Sequence, residues 1–595
     1  MKFKPFLIIV FVFSFYCFAH FAKPLFAPDE TRYMEVAREM VETDNYIAPH
    51  LAGIRYFEKP AMGYWFIAGC QLLFGENKIA ARFPAIFATL LTALLVYLFA
   101  RNHLSLKRTA LFAPIVYLFF PFVFCLSSVC SLDAVFSLFL TLTIFTYYRA
   151  ITYQDQKQRK NILHGIALLI LCGISAGAAF LIKGFLAFAV PVLAVLPWLI
   201  AEKQWKKILI TPWIPLVVAL LVIAPWAWLV HLQEPDYWRY FVVEEHLRRF
   251  LGGAEAQHPK SAFYFLPVLL WGTAVWLPFL PAMFVGWKKI IWKKDSDAKF
   301  LLSWFIFPFL FFSSSSGKLV PYILPCMVPI SLLFTFGLHH YFSSCRKQAV
   351  PGKNPRYRLF TIPIMSLMIA LLPATAVSLW LFADALPHLN EHTPVLSLFL
   401  TKFEPFSIFN VNEQWKFWLI SVVAIWIFCA FLAVVLEKKL LSKMFYFLIG
   451  ISSVFFVAYI VVPEHVYECR CPLSFIQKHQ KEIDDNTVLM THGNSLIHAV
   501  CYQLRRTDVF TVGEGELAYG LKYEESKERL IPYSEIKSQI QACRKEGKKV
   551  AFFYPTDRYL ELLQKKQLEK PDEYYGTGSD DGVSLLIYLP IVSAQ

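Results

Sequence analysis

The 595-residue sequence is poor in charge: Asp, Glu, Lys and Arg together make up 17% of it, against 57% apolar residues. A water-soluble enzyme of this length needs more polar surface, so the composition requires a polytopic membrane protein. No glycine-rich phosphate cradle is present, which leaves a soluble sugar nucleotide without a binding loop. No repeated halves are evident, and ionisable residues crowd the ends of apolar runs rather than their middles, unlike a transporter built from repeats. A convincing small-x-small cleavage site is also missing around Ala19–Ala22, so the first apolar run is counted as a helix; read instead as a cleaved signal peptide, it would lower the helix count by one and change nothing else. The net charge of +14 does not signify nucleic acid in such a chain, because cytoplasmic loops of membrane proteins collect Lys and Arg.

What is there is a series of apolar runs scattered around bilayer length: Phe6–Ala22, Ile79–Ala100, Leu111–Cys125, Ala134–Tyr148, Ile162–Ile182, Phe185–Ile200, Ile208–Val230, Phe263–Trp287, Phe300–Phe312, Leu319–Tyr341, Leu359–Phe382, Trp415–Leu436 and Phe445–Val462. Alternate connections are basic, carrying Arg101, Lys107 and Arg108, then Arg149, Lys157 and Lys160, then Lys203, Lys206 and Lys207. The alternation continues through Lys288–Lys294, Arg346–Arg358 and Lys438–Lys443. Placed in the cytoplasm, these loops define about thirteen transmembrane helices over 1–462, with the carboxy terminus outside. After Pro463 the composition shifts to a soluble unit, 463–595. There Thr487–Met490, Val509–Val512, Val550–Tyr554 and Ser584–Leu589 read as strands, and Ser534–Glu546 and Thr556–Lys566 as helices, giving an external α/β domain. Its Cys469, Cys471, Cys501 and Cys543 are candidates for disulfides, with a Cys-x-Cys metal site the lesser alternative.

The one markedly polar stretch near the amino terminus, 28–60, falls outside the membrane by this count. Asp29, Glu30, Arg32, Glu35, Arg38 and Glu39 have helical spacing, with Met34, Ala37 and Val41 on the other face, as in an amphipathic helix at a membrane surface. A second charged cluster, Arg55, Tyr56, Glu58 and Lys59, precedes Pro60. The same face receives Asp133, Lys183, a second loop at 231–262 and the segment Ser313–Tyr322 with Lys318. Each has a plainer reading. Asp133 caps a helix, Lys183 and Lys318 snorkel, His246 and His258 are exposed loop residues, and Tyr322 is an interface aromatic. Ionisable groups at helix ends cost about 3 kcal/mol in lipid, and convergence on one wet cavity removes that cost.

Asp29-Glu30-Thr31-Arg32-Tyr33, Arg55-Tyr56-Phe57-Glu58-Lys59-Pro60 with Gly63-Tyr64-Trp65, Glu245-His246 with Gln257-His258, and Gly317-Lys318-Leu319 with Pro321-Tyr322-Ile323-Leu324-Pro325 occur in that order. This ordered set resembles the aminoarabinose transferases of lipid A, members of the polyprenyl-phosphate-dependent glycosyltransferases of GT-C fold that include the protein O-mannosyltransferases. The resemblance implies a multi-pass enzyme of the bacterial inner membrane, with active site and C-terminal domain periplasmic. It would move 4-amino-4-deoxy-L-arabinose from undecaprenyl phosphate to a lipid A phosphate. It also implies donor-phosphate contacts from Arg32, Tyr56, Lys59, Lys318 and Tyr322, and acidic catalytic positions at Asp29 and Asp133. Glu58 and His246 would hold a divalent metal, zinc by ligand type.

Fixed cations are what the chemistry demands, since breaking a sugar–phosphate bond develops a phosphate dianion. A protein hydroxyl acceptor would need Asp29 as general base. A lipid A phosphate is already an anionic nucleophile, so the carboxylates are left to orient the acceptor, hold the donor amine or stabilise positive charge at the anomeric carbon. Pro60-Ala61-Met62 stands where the family pattern has a second proline and a leucine, which leaves a hexosamine donor open.

Overall fold

The computed structural model describes residues 24–104, 110–154, 159–248, 259–292, 295–348, 357–370, 471–493, 496–565, 567–577 and 582–591, with isolated positions at 14–21, 106 and 424–452. The chain divides into two compact units, one made of Tyr33–Tyr357 and the other of Met1–Arg32 together with Arg358–Gln595.

Helix α1 (Asp29–Thr43) begins at this division and is followed by a hairpin of β1 (His50–Leu51) and β2 (Ile54–Arg55). Then come α2 (Met62–Phe74), α3 (Lys78–Asn102), α4 (Phe112–Leu118), α5 (Pro121–Ser127), α6 (Leu132–Gln154), α7 (Arg159–Lys183), α8 (Leu186–Ala201) and α9 (Trp213–Gln233). A π-helical segment Tyr240–Arg248, α10 (Phe265–Gly272), α11 (Leu280–Trp292), α12 (Ser296–Ser314) and α13 (Leu324–Lys347) complete the unit. Among the described residues six helices are long and apolar enough to cross a bilayer, and α10 with the helical stretch Ala274–Lys288 forms a further pair bent by 69°. The protein is a multi-pass membrane protein. Most of the runs Phe6–Ala22 and Trp415–Leu436, and parts of Leu359–Phe382 and Phe445–Val462, lie outside the described residues.

Burial separates the roles of these helices. The span Val320–Lys347 is 83% buried within the protein, whereas Trp205–Gln233 is 22% buried and presents Trp213, Leu221 and Trp228 outward. An all-round apolar helix buried on every side is a bundle core, and one left bare is a lipid-facing wall. Helix ends follow local chemistry: Asn77 caps α3 by accepting from the amides of Ile79 and Ala80 at 2.8 and 3.1 Å, and Asp295 caps α12 in the same way.

Two elements depart from the sequence reading. The run Leu111–Cys125 is not one helix but α4 and α5, because Phe120 before Pro121 takes an extended backbone and Pro121 starts a new helix. Helix α2, 13 residues long, was not anticipated between Pro60 and the run at Ile79.

Helices α11 and α13 cross at two glycines, where a Cβ on Gly286 would stand 1.9 Å from the carbonyl oxygen of Gly337. That distance is below any van der Waals contact, so the helices fit only while both positions lack side chains. Gly286→Ala is expected to destabilise the bundle by about 2 kcal/mol or more, read as a lowered Tm of the detergent-solubilised protein. A wild-type Tm would mean that the helices separate freely.

The C-terminal α/β region contains β3 (Val488–His492), α14 (Ile497–Leu504), β4 (Phe510–Val512), β5 (Leu530–Ile531), α15 (Ile536–Lys545), β6 (Val550–Pro555), α16 (Thr556–Gln564), β7 (Glu573–Gly576) and β8 (Val583–Tyr588). Its sheet has the order β5-β4-β3-β6-β8-β7, with the first four strands parallel and the last two antiparallel. Strands β6 and β8 are apolar almost throughout because helices and neighbouring strands bury both faces, while edge strand β7 alternates half-buried and exposed. Met490, Val512, Ile540, Phe552 and Leu586 lie in the core. Cys471, Cys501 and Cys543 are buried, and among the described residues no disulfide joins any two of these three; Cys469, the fourth cysteine of the expected set, lies outside the described residues.

Candidate active site

Strands β1 and β2 pair His50 with Arg55 and Leu51 with Ile54, leaving Ala52 and Gly53 as a two-residue turn at φ +58° and +68°. Both central residues of such a turn need positive φ, which suits Gly53 and strains Ala52. The turn sends the chain back so that Tyr56, Glu58 and Lys59 follow directly from β2, with the Tyr56 amide donating to the Pro49 carbonyl at 3.0 Å.

Lys59 is the centre of this cluster. Its Nζ lies 2.6 Å from Glu245 Oε1 and 3.4 Å from Glu58 Oε1, and its side chain is 15% exposed. Glu58 accepts the Tyr56 hydroxyl. Arg55, alongside, donates to Glu234 at 2.7 Å. Phe57 stacks edge-on against Tyr237, and Tyr237 continues through Phe241 to Phe180 and Phe185 beside Lys183.

At that far end Lys183 is paired with Asp133, and its ammonium stands 5.0 Å from the centre of the Tyr322 ring and 5.7 Å from that of Phe136. A cation over an aromatic face is held electrostatically as well as by its carboxylate. Neither plain reading describes the pair, since Asp133 does more than cap a helix and Lys183 does not snorkel. A second link runs through Gly63, on which a Cβ would meet Leu132 Cδ1 at 2.8 Å, so the turn after Lys59 and the residue before Asp133 are in direct contact. The Lys59–Glu245 and Lys183–Asp133 pairs therefore share one region of this unit.

Lys318 is 3% exposed and donates to the carbonyls of Lys260, at 3.1 Å, and Ser315. Its bonds tie the segments around 260 and 315 together, beside the bridge between Pro259 and Gly317. The structure thus gives Lys318, expected as a donor-phosphate cation, a bracing position between these two segments.

The other unit holds the first turn of α1. Asp29 and Glu516 both pair with Arg32, whose side chain is 8% exposed, while that of Asp29 is 63% exposed. The Thr31 hydroxyl lies 3.0 Å from His498 Nδ1 and 3.2 Å from the Pro28 carbonyl. Burial, helped by the Arg32 guanidinium, pushes the His498 imidazole down to about 3, which keeps it neutral against Thr31. Arg32 is accordingly an orienting cation between two carboxylates. Glu245, Glu516 and His498 were missed as partners. Glu245 is adjacent to a motif histidine and had a signal; the other two had none.

The His246 backbone lies in the π-helical segment, but its side chain, like all of His258, is outside what is described. Glu58 already receives the Tyr56 hydroxyl and faces the Lys59 ammonium, and among the described residues no three His, Cys, Asp or Glu converge. Of the expected Glu58–His246 metal pair, Glu58 therefore lies within the described residues and the His246 side chain outside them.

Comparison with known proteins adds identity to this geometry. A family model for dolichyl-phosphate-mannose-protein mannosyltransferase matches residues 3–241, and one for the arabinosyl transferase ArnT C-terminal domain matches 467–583. The undecaprenyl phosphate-α-4-amino-4-deoxy-L-arabinose arabinosyl transferase of Yersinia pestis (strain Pestoides F) is 34% identical over 526 residues, 88% of each chain. The chain belongs to this arabinosyl transferase family. The Aeromonas salmonicida member is 31% identical over 94% of this chain and 95% of its own. Crystal structures of ArnT from Cupriavidus metallidurans share the fold at 20% identity: the form bound to undecaprenyl phosphate has a TM-score of 0.73 over 99% of this chain and 98% of that one, and the apo form 0.74 over 98% of each. The arabinosyl transferase family is a family of glycosyltransferases, and the protein is an enzyme of that class with the GT-C fold and a C-terminal α/β domain.

Proposed function

We propose that the protein transfers 4-amino-4-deoxy-L-arabinose from undecaprenyl phosphate to a lipid A phosphate at the periplasmic face of the inner membrane. The observation that carries this is Lys59, a cation held by Glu245 and Glu58 at low exposure, in a membrane protein of the arabinosyl transferase family. In the reaction an oxygen of the acceptor phosphate attacks the anomeric carbon while the bond from that carbon to the donor phosphate oxygen breaks. The donor phosphodiester carries one negative charge, and the departing polyprenyl phosphate carries about two. Lys59, placed where that second charge develops, stabilises the transition state more than the ground state.

The acceptor phosphate is itself an anion near neutral pH, so no general base is required. Asp29, which pairs with Arg32 and whose carboxylate is largely open to solvent, stabilises positive charge on the amino sugar. Asp133, held by Lys183, keeps the neighbouring wall and Tyr322 in place. A polyprenyl tail stays in hydrocarbon while its phosphate reaches the cation, so binding does not drag apolar chain into water.

The purified full-length protein is expected to modify lipid A from the undecaprenyl-phosphate-linked sugar with no nucleotide added, read by mass spectrometry. Transfer from a soluble sugar nucleotide alone would overturn the proposal. A reporter fused after Gly352 should read cytoplasmic and one after Asp485 periplasmic; the reverse would put the site on the wrong side.

A further inference from the structure

Behind the Lys59 cluster, helix α1 buries an excess of acid. Glu35 and Glu39 are 0% and 4% exposed, one helical turn apart on the same face, with a single buried arginine, Arg38, beside them. Arg38 donates from Nε and Nη2 to both oxygens of Glu35 at 2.7 Å. Its remaining nitrogen pairs with Glu42 at the helix surface. Glu39 has no share in that guanidinium. Its Oε2 accepts the Gly53 amide at 2.9 Å, and its Oε1 is buried without any donor facing it.

A bare carboxylate oxygen in such a place is costly, and the remedy within reach is a proton on the oxygen itself. We propose that Glu39 is a positioning residue for the transfer reaction: as a neutral acid it donates from Oε1 to Glu35, accepts Gly53 N–H at Oε2, and so fixes the turn that aims Tyr56, Glu58 and Lys59. This rests on the reading of Lys59 as the donor-phosphate cation.

The surroundings agree. Gly53 is the second residue of the tight Ala52–Gly53 turn, where Ala52 sits at φ +58°, and a strained turn persists only where its surroundings hold it. Four residues separate Ile54 from Lys59, so a shift at the turn is passed along a short stretch to the ammonium. The groups facing Glu39 are Glu35, Arg38 and the Gly53 amide, with Glu42 beyond Glu35; burial first, then the Glu35 charge, raises its pKa well above the ordinary 4.5.

The sign of the pH effect is fixed by linkage. An acid that holds its proton more tightly folded than unfolded contributes stability in full below the unfolded value near 4.5 and loses it as pH rises toward the raised native value. Glutamine keeps the shape and the donor and never titrates. Glu39→Gln is therefore expected to gain in Tm over the wild type as pH rises from about 5 to about 8, and to keep turnover within about threefold at neutral pH. Glu39→Ala is expected to speed amide exchange across residues 48–60 by roughly tenfold or more and to lower kcat, and Glu39→Gln to leave that exchange as in the wild type.

A Tm difference between Glu39→Gln and wild type that is flat or falls with pH would overturn the neutral acid. Wild-type exchange across 48–60 in Glu39→Ala would overturn the positioning role. Both readouts are made on the full chain without substrate, so failure of the lipid-linked donor reaction would count against the proposed activity and leave this inference to be judged on its own.

Discussion

Lys59→Ala is expected to lower kcat/KM with the lipid-linked donor by about 10³-fold and to destabilise the protein as well. Removing one preorganised group from the place where charge develops costs about 10²–10³ in rate. The second effect comes from what the lysine leaves behind. Glu245, with 7% of its side chain exposed, has Lys59 at 2.6 Å, and a buried carboxylate stripped of its cation is destabilising by about 2 kcal/mol at this partial exposure. The double variant Lys59→Ala/Glu245→Gln separates the two effects: Tm recovers, turnover does not. Turnover of the single variant within threefold of wild type would remove Lys59 from the reaction.

Asp29→Asn should lose about 10²-fold or more of turnover with no change in Tm, the opposite balance. Asp29 is 63% exposed, and Arg32 keeps Glu516 when the Asp29 charge is removed. Asparagine preserves shape and hydrogen-bonding capacity, so what is lost is the negative charge alone. Thermal unfolding and single-turnover transfer measured on the same preparation decide the matter. Normal turnover would show that the amino sugar is held elsewhere.

The legibility of the fold in the sequence differs from place to place. Long apolar runs such as Ile79–Ala100 and Ile162–Ile182 were legible because the bilayer imposes a length on composition, and they correspond to α3 and α7. Leu111–Cys125 met the same test and failed because one proline outweighs a favourable average. Helix α2 escaped notice for the opposite reason, since 13 residues carrying Gly63, Tyr64 and Gln71 do not make a long greasy run. Site residues were legible as types and invisible as pairs. Asp133 and Lys183, Lys59 and Glu245, Arg32 and Glu516 are 50, 186 and 484 positions apart, and no local pattern joins them. The sequence therefore named cations for a phosphate without showing that Arg32 and Lys318 are occupied by the protein's own oxygens.

The contacts of Thr31 with His498 and of Arg32 with Glu516 bear on inheritance. A soluble domain at the end of a membrane protein is ordinarily a free module, gained, lost or exchanged between lineages without harm to the rest. Here two of its side chains close on consecutive residues at the start of α1. A chimera carrying another lineage's domain keeps these two contacts only if that domain brings a partner for each; without one, Thr31 falls back on the Pro28 carbonyl and Arg32 on Asp29.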